Sequence, residues 1–282
     1  MITPRTAPSL AITGATGAIG GLVARAIAPE ASLRLLVRDP DRAPGLDGCV
    51  VVRSSYDRPD DSLAGVETLF MVSASESADR LAQHLEFVDA AAAAGVRHIV
   101  YTSFLGAAPD STFTLARDHA ATEQRIRDSG VAFTFLRDNF YADMFPLFAG
   151  EDGVIRGPAG EGQVSAVARD DVARVATQVL RDPEAHAGAT YDLTGPEAFT
   201  LTAAASTIAR VTGRDVRFHD ESIAEAYASR SRWDAPQWQY DAWVSTYTAI
   251  ASGELSAVSD DVERITGRRP QTMAEMLEAA RG

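Results

Sequence analysis

The segment Thr13-Gly14-Ala15-Thr16-Gly17-Ala18-Ile19-Gly20 follows the apolar run Leu10 to Ile12 and opens an amphipathic stretch, which reads as strand, glycine turn and helix. Glycines at 14, 17 and 20 let the backbone turn sharply, let a pyrophosphate approach without a Cβ in the way, and seat the helix start against the strand. The N–H groups of a helix entrance, here around Thr16, Ala18 and Ile19, then hold the anion. A second apolar run, Leu33 to Val37, closes the first βαβ step, the context that gives such a glycine turn its meaning.

The second strand ends in Val37-Arg38-Asp39-Pro40. Arg38 stands where NAD-selective sites carry a ribose-binding carboxylate, and a guanidinium there suits a 2′-phosphate. Asp39 lies next to it and is able to meet a ribose hydroxyl, so NADP(H) is the expected cofactor with NAD(H) left open. Arg42 and Arg53 are secondary candidates for the same phosphate.

Further apolar runs occur at Val50 to Val52, Thr68 to Val72, His98 to Tyr101, Phe133 to Leu136 and Tyr191 to Thr194. They are short and continuous rather than alternating, as in strands buried on both faces of a parallel sheet. Helical periodicity fills Ile19 to Ala28, Ser77 to Ala94, Thr114 to Ser129 and Asp170 to Leu180, with Gly95 and Gly130 as stops. Strands alternating with helices predict an α/β fold, a doubly wound (Rossmann) parallel sheet. The rhythm breaks in a loop at 157–162. After Gly195-Pro196 the pattern turns mainly helical, with one strand at Val216 to Phe218. The expected organisation is a nucleotide-binding domain over 1–194 and a smaller C-terminal lobe over 195–282, with residues 139–165 adding to the pocket.

The chain has 282 residues, and its formal charge of −13 repels nucleic-acid backbones and anionic membrane surfaces. An anionic cofactor must therefore be drawn by local groups. All of the basic residues are arginine; there is no lysine, which removes Schiff-base chemistry and a P-loop. The one cysteine, Cys49, excludes an intrachain disulfide and sits in an apolar context that predicts burial. The histidines show no metal-ligand spacing. No basic leader with an apolar core opens the chain and no run reaches membrane-spanning length, so a soluble cytoplasmic protein is expected.

The glycine turn, Arg38-Asp39-Pro40, Ser54-Ser55-Tyr56-Asp57 and Tyr101-Thr102-Ser103 resemble the atypical short-chain dehydrogenases of the NmrA-like group. Asp118 to Glu123, Ser129 to Tyr141, Val258 to Glu263 and Thr266-Gly267-Arg268 are similar to the bacterial type-2 NADPH:quinone oxidoreductases within it. One departure from ordinary short-chain dehydrogenases matters. Counting from Ser103, the positions of their Tyr-x-x-x-Lys pair fall on Leu115 and His119, so the usual proton relay is absent. Quinone reduction suits that lack, because the acceptor is already electrophilic and its oxygens can take protons from water or a weak donor.

Ser103 lies just past the end of a strand, where doubly wound folds place ligands, and Ser73 and Ala74 occupy the equivalent place after the fourth strand. His119 is expected to hydrogen-bond to ribose or acceptor, or to donate a proton. The resemblance implies that Tyr56 and Asp57 meet the adenine end of the cofactor. Asn139 and Tyr141, with Phe140, Met144 and Phe145 nearby, form a candidate wall for a planar ring; packing suits Phe140 and Phe145, whereas a buried Tyr141 hydroxyl needs a partner. Tyr240, Trp243 and Tyr247 fall at helical spacing, as a packing stripe does. Trp233 and Trp238 flank Pro236 in a loop.

The cofactor-binding set is thus Gly14, Thr16, Gly17, Ala18, Ile19, Gly20, Arg38, Tyr56, Asp57, Ser73, Ala74, Ser103, His119 and Asn139, and the catalytic candidates are His119, Tyr141 and Ser103. The resemblance implies hydride transfer from NADPH to a quinone or a similar small conjugated carbonyl, in a chain that is compatible with a homodimer. A silent NADP-binding redox sensor and a reductase of a natural-product intermediate share the fold.

Overall fold

The computed structural model describes residues 8–280. In chain order its elements are β1 (Leu10–Thr13), α1 (Ala18–Ile27), β2 (Leu33–Val37), β3 (Val50–Arg53), β4 (Thr68–Met71), α2 (Arg80–Ala93), β5 (His98–Phe104), α3 (Thr114–Asp128), β6 (Ala132–Asp138), α4 (Phe145–Phe148), β7 (Val154–Gly157), β8 (Gln163–Val164), α5 (Arg169–Arg181), β9 (Ala189–Leu193), β10 (Phe199–Thr200), α6 (Leu201–Thr212), β11 (Arg217–Asp220), α7 (Ile223–Arg230), α8 (Gln237–Ser252), α9 (Asp261–Thr266) and α10 (Met273–Ala279). Seven strands form a parallel sheet in the order β3-β2-β1-β4-β5-β6-β9. β1 pairs with β2 in the register Leu10↔Leu33 and with β4 in the register Leu10↔Thr68. The chain therefore leaves β1 in one direction and resumes beyond it in the other, which opens the strand ends for a ligand at β1 and β4.

Burial follows the apolar runs. Every residue of β2 and of β5 is buried, as strands covered on both faces must be. The run Val50 to Val52 behaves otherwise. β3 pairs only with β2 at the sheet margin, so Val50 and Val51 are 46% and 40% exposed, and Cys49 is half-buried rather than sealed. An apolar run tells that a strand forms, not whether a neighbour covers it.

Helix ends match the glycine stops: Gly95 and Gly130 take φ of 83° and 75°, a left-handed turn that a side chain strains. α2 starts at Arg80 rather than Ser77, because residues 73–79 run across the sheet's carboxyl edge as a loop. β5 and β6 run longer than their apolar cores. The Leu105 N–H donates to the Asp138 carbonyl at 2.8 Å, which carries the ladder to both strand ends.

The chain forms two compact units. The first comprises the chain up to Ser103 with 121–136 and 173–191; the second comprises 104–120, 137–172 and the chain from Asp192. Instead of one boundary near 194, the second unit thus draws on earlier segments. In the first, Leu36, Leu69, Met71, Phe87, Ile99, Tyr101 and Phe135 share one apolar core. In the second, Phe104, Phe113, Phe145, Ile155, Leu201, Ile208 and Tyr247 belong to another. Two short sheets brace the second unit, β7 with β11 in parallel and β8 with β10 antiparallel.

Candidate functional site

The glycine turn has the geometry that an anion needs. Gly14 has φ of 64°, and the Gly17 N–H closes the turn on the Gly14 carbonyl at 2.8 Å. A Cβ on Gly20 would strike the backbone of Thr13 and Gly14, so the third glycine is required for seating α1 against β1. The N-cap of α1 is Gly17, with no side chain capping it and no acidic residue in the first turn. Thr16, Gly17 and Ala18 are exposed, while Ile19 and Gly20 are buried beneath them. A helix entrance whose donors lack a side-chain cap, on a turn kept clear of Cβ atoms, fits a pyrophosphate.

Arg38 follows β2 and is exposed. The register Val37↔Arg53 sets Arg53 at the adjacent strand end, and its Nε donates to the Arg38 carbonyl at 3.3 Å. Asp39 turns the other way: its carboxylate accepts the Asp41 N–H at 3.2 Å and caps the short turn that follows. The neighbouring carboxylate is thereby engaged in a local bond, whereas the guanidinium stays at the surface.

The segment after β4 is tied down atom by atom. The Val72 N–H donates to Thr13 Oγ1, the Ser73 N–H to Thr102 Oγ1, and the Ala74 N–H to His84 Nε2, each at 2.8 Å. On the carbonyl side, the Tyr56 hydroxyl donates to Val72, and Arg80 Nε donates to Ala74 at 2.9 Å. Three consecutive amides are thus held by side chains from β1, β5 and α2. Ser73 and Ala74 lie where the sequence places them, but with their N–H groups turned into the protein. Both residues are half-buried, and the Ser73 hydroxyl oxygen accepts from Thr102 Oγ1 at 3.4 Å.

His84 is fully buried, and burial pushes its imidazole down to about 3, with the Arg80 guanidinium acting in the same direction. The neutral ring then has one acceptor nitrogen for Ala74, and its Nδ1 meets Thr122 Oγ1 at 3.0 Å. Tyr56 is a pillar of the same cluster. Its hydroxyl sits 2.8 Å from Thr13 Oγ1, its ring packs on Phe87 with centroids 4.4 Å apart, and burial raises the phenol well above its ordinary range. Asp57 beside it is exposed, and a hydrogen bond from Ser55 holds its carboxyl below the usual carboxylate range.

Ser103 ends the first unit and is fully buried. Its hydroxyl donates to Glu123 Oε1 at 2.6 Å, and Arg127 reaches the other carboxylate oxygen at 3.2 Å while lying over the Phe135 ring. The Ser103 proton is thus committed to Glu123, leaving the oxygen as an acceptor.

His119, Asn139 and Tyr141 belong to the second unit. His119 is buried, with its ring 6.1 Å from that of Phe104. Phe104, Phe113 and Phe140 form a triangle with centroids 4.9 to 5.1 Å apart. The Asn139 amide donates to Ser165 Oγ and to the Leu255 carbonyl, both at 3.0 Å, and its Oδ1 accepts the Phe140 N–H at 2.8 Å. Both ends of the Asn139 side chain therefore hold the turn after β6. Phe145 is core, as packing predicts, and Phe140 is partly buried against it.

Tyr141 is half-buried, and its hydroxyl donates to Asp138 Oδ2 at 2.7 Å. The Arg169 guanidinium carbon lies 4.9 Å from the centre of the Tyr141 ring. Asp138 is buried, and its carboxyl is pushed up to about 8 by burial, against the pull of Tyr141 and Arg169. The sequence reading missed Asp138 and Arg169. The signal available was an acidic residue ending a buried strand three positions before a tyrosine.

Trp233 and Tyr240 both meet Trp243 edge-on, at 5.8 and 5.9 Å, and Tyr247 is buried beneath the Arg230 guanidinium. The spacing stripe is therefore packing at Tyr247, while Trp233 stays exposed. Among the described residues no cluster of histidine, cysteine or carboxylate side chains suits a metal, and no helix is long and apolar enough to cross a membrane.

Residues 14–183 match the family described as NAD(P)H-binding. The chain is 32% identical to quinone oxidoreductase 2 of Escherichia coli, covering 95% of this chain and 97% of that one. The crystal structure of the E. coli NADPH-dependent quinone oxidoreductase complexed with NADPH is similar with a TM-score of 0.87, over 97% of this chain and 100% of that chain. An NAD(P)H azoreductase of Xenophilus azovorans is 32% identical over 95% of this chain and 96% of its own. The triphenylmethane reductase of Citrobacter sp. has a TM-score of 0.84 at 32% identity, covering 96% of this chain and 99% of that one.

Proposed function

Because the chain belongs to the NAD(P)H-binding family, we propose that it is an NADPH-dependent oxidoreductase passing hydride to a quinone or a related small conjugated carbonyl. The observation that carries the cofactor is the uncapped helix entrance at Gly17, on a turn where Gly20 leaves no space for a side chain. The acceptor class draws its support from the relatives. A quinone, an azo compound and a triphenylmethane dye are the substrates in their names, and all three are conjugated and electron-poor.

When bound, the reduced nicotinamide supplies a hydride. The protein's residues do the rest. The first turn of α1 holds the pyrophosphate, Arg38 with Arg53 beside it reads the 2′-phosphate, and Asp57 faces the adenine end. Ser73 and Ala74, both half-buried, contribute contact surface. Tyr56 acts by holding this segment rather than by touching a ligand with its hydroxyl. Ser103, fully buried, acts by donating a hydrogen bond to Glu123 rather than by touching a ligand. In the second unit, His119 and the phenylalanines around Phe104 supply the surface for a planar ring, Asn139 fixes the turn that presents it, and Tyr141 supplies a polar edge. The acidic surface disfavours nucleic acid, so the working partner is a small molecule, in a cytoplasmic setting.

The test is NADPH oxidation followed at its own absorbance with a panel of benzoquinones and naphthoquinones. Acceptor-dependent oxidation with NADPH preferred over NADH is expected. Tight NADPH binding with no oxidation by any acceptor on the panel would overturn the reading in favour of a sensor.

A further inference from the structure

Reduction of a quinone needs a proton as well as a hydride, and the chain contains no lysine to tune a tyrosine. The end of β6 holds another arrangement. Tyr141 is half-buried, whereas the carboxyl it touches, Asp138, is sealed, so the pair has one member open to a ligand and one shielded from water. The backbone on both sides of Tyr141 is pinned to Val167: the Ala142 N–H donates to the Val167 carbonyl at 2.9 Å, and the Val167 N–H to the Phe140 carbonyl at 3.0 Å. Arg169, two residues on, covers the ring and is fixed in turn, its N–H donating to Asp143 Oδ2 at 3.0 Å.

We infer that Tyr141 is the acid that protonates the reduced acceptor, with Asp138 holding the replacement proton and Arg169 stabilising the phenol oxygen as its proton leaves. The inference rests on the quinone-reductase reading above. A quinone that takes a hydride, with its two electrons, from the reduced nicotinamide becomes a hydroquinone monoanion, and the nicotinamide is oxidised. The Tyr141 hydroxyl, which donates to Asp138 Oδ2 in the resting pair, turns its proton to the hydroquinone oxygen, and the O–H bond breaks. The phenolate takes the carboxyl proton of Asp138 across the 2.7 Å contact, and the pair regains a proton from water through Tyr141, its half-buried member. The sealed carboxyl keeps its proton at neutral pH because burial disfavours its charged form. A cation over the ring meets the negative charge that passes through the phenol oxygen. Tyr141 is thus the catalytic residue, and Asp138 and Arg169 are positioning residues.

A cationic triphenylmethane dye separates the steps, since it becomes neutral on accepting hydride and needs no proton. The experiment compares turnover of wild type, Tyr141→Phe and Asp138→Asn with a naphthoquinone and with such a dye. In both variants the loss with quinone is expected to exceed the loss with dye at least tenfold, with the KM for NADPH within twofold of wild type. Independently of turnover, infrared spectra of the cofactor-free protein at pH 7 are expected to show a protonated carboxyl band that Asp138→Asn removes. Equal losses with both acceptors, undiminished quinone turnover in Tyr141→Phe, or no such band would each overturn the proposal. A wild-type protein that oxidises NADPH with neither acceptor fails the underlying reading instead.

Discussion

The Nε2 atom of His84 accepts the backbone N–H of Ala74 at 2.8 Å, so one buried imidazole holds the segment that follows β4. This bond exists only while the ring is neutral. In the unfolded chain the imidazole titrates near 6.5, and in the folded protein near 3. Between those values the unfolded state binds a proton that the folded state does not, so this contribution to stability is complete above about 6.5 and is lost as pH falls toward 3. Urea midpoints measured from pH 7.5 to 4.5 are expected to fall more steeply in wild type than in His84→Gln, whose amide oxygen can still accept from Ala74. Parallel pH dependences would remove His84 from this role.

Gly17 caps α1 without a side chain, and a Cβ there would lie 3.2 Å from the Gly14 carbonyl oxygen, over the turn proposed to hold the pyrophosphate. Gly17→Val is expected to abolish binding of NADPH and NADH alike in calorimetry, at a stability loss of about 1 kcal/mol for the poorer cap. Retained affinity in a folded variant would mean that the phosphates lie elsewhere.

Arg38 is exposed, while Asp39 is engaged by its own turn. Arg38→Ala should therefore weaken NADPH by about 1.5 to 3 kcal/mol, the worth of a charged hydrogen-bonded contact, and NADH much less. Equal weakening of the two dinucleotides in the same titration would refute the 2′-phosphate role.

Ser103 donates a hydrogen bond to a carboxylate that is itself buried. Removing the hydroxyl in Ser103→Ala deprives Glu123 of a donor, and the unfolding free energy is expected to drop by about 1 to 3 kcal/mol in chemical denaturation. An unchanged midpoint would show that the carboxylate finds another donor.

Local chemistry made part of this legible from the sequence. β2 runs from Leu33 to Val37 in both readings because a continuous apolar run bounded by polar residues leaves little choice, and Gly95 and Gly130 end α2 and α3 because only glycine takes a left-handed turn without strain. The glycine turn was legible for the same reason. The straps on residues 72–74 were not, since the destination of a threonine hydroxyl depends on sheet register: Thr13 reaches Val72, and Thr102 reaches Ser73, across 59 and 29 residues. Asn139 follows a strand's carboxyl end, where sequence logic expects a ligand contact. Its amide instead spans 116 residues to Leu255, a contact set by tertiary packing. The exposure of Val50 and Val51 depends on the absence of a neighbouring strand beyond β3 in the sheet, which a local apolar pattern does not encode.

The chain passes between its two units after Ser103, Ala120, Leu136, Val172 and Tyr191. A lobe appended at one end could be exchanged as a cassette by recombination or clipped away by a single protease; a unit woven from interior segments cannot. Diversification of the second unit must then proceed by substitution in place, while the glycine turn is inherited on the same uninterrupted polypeptide.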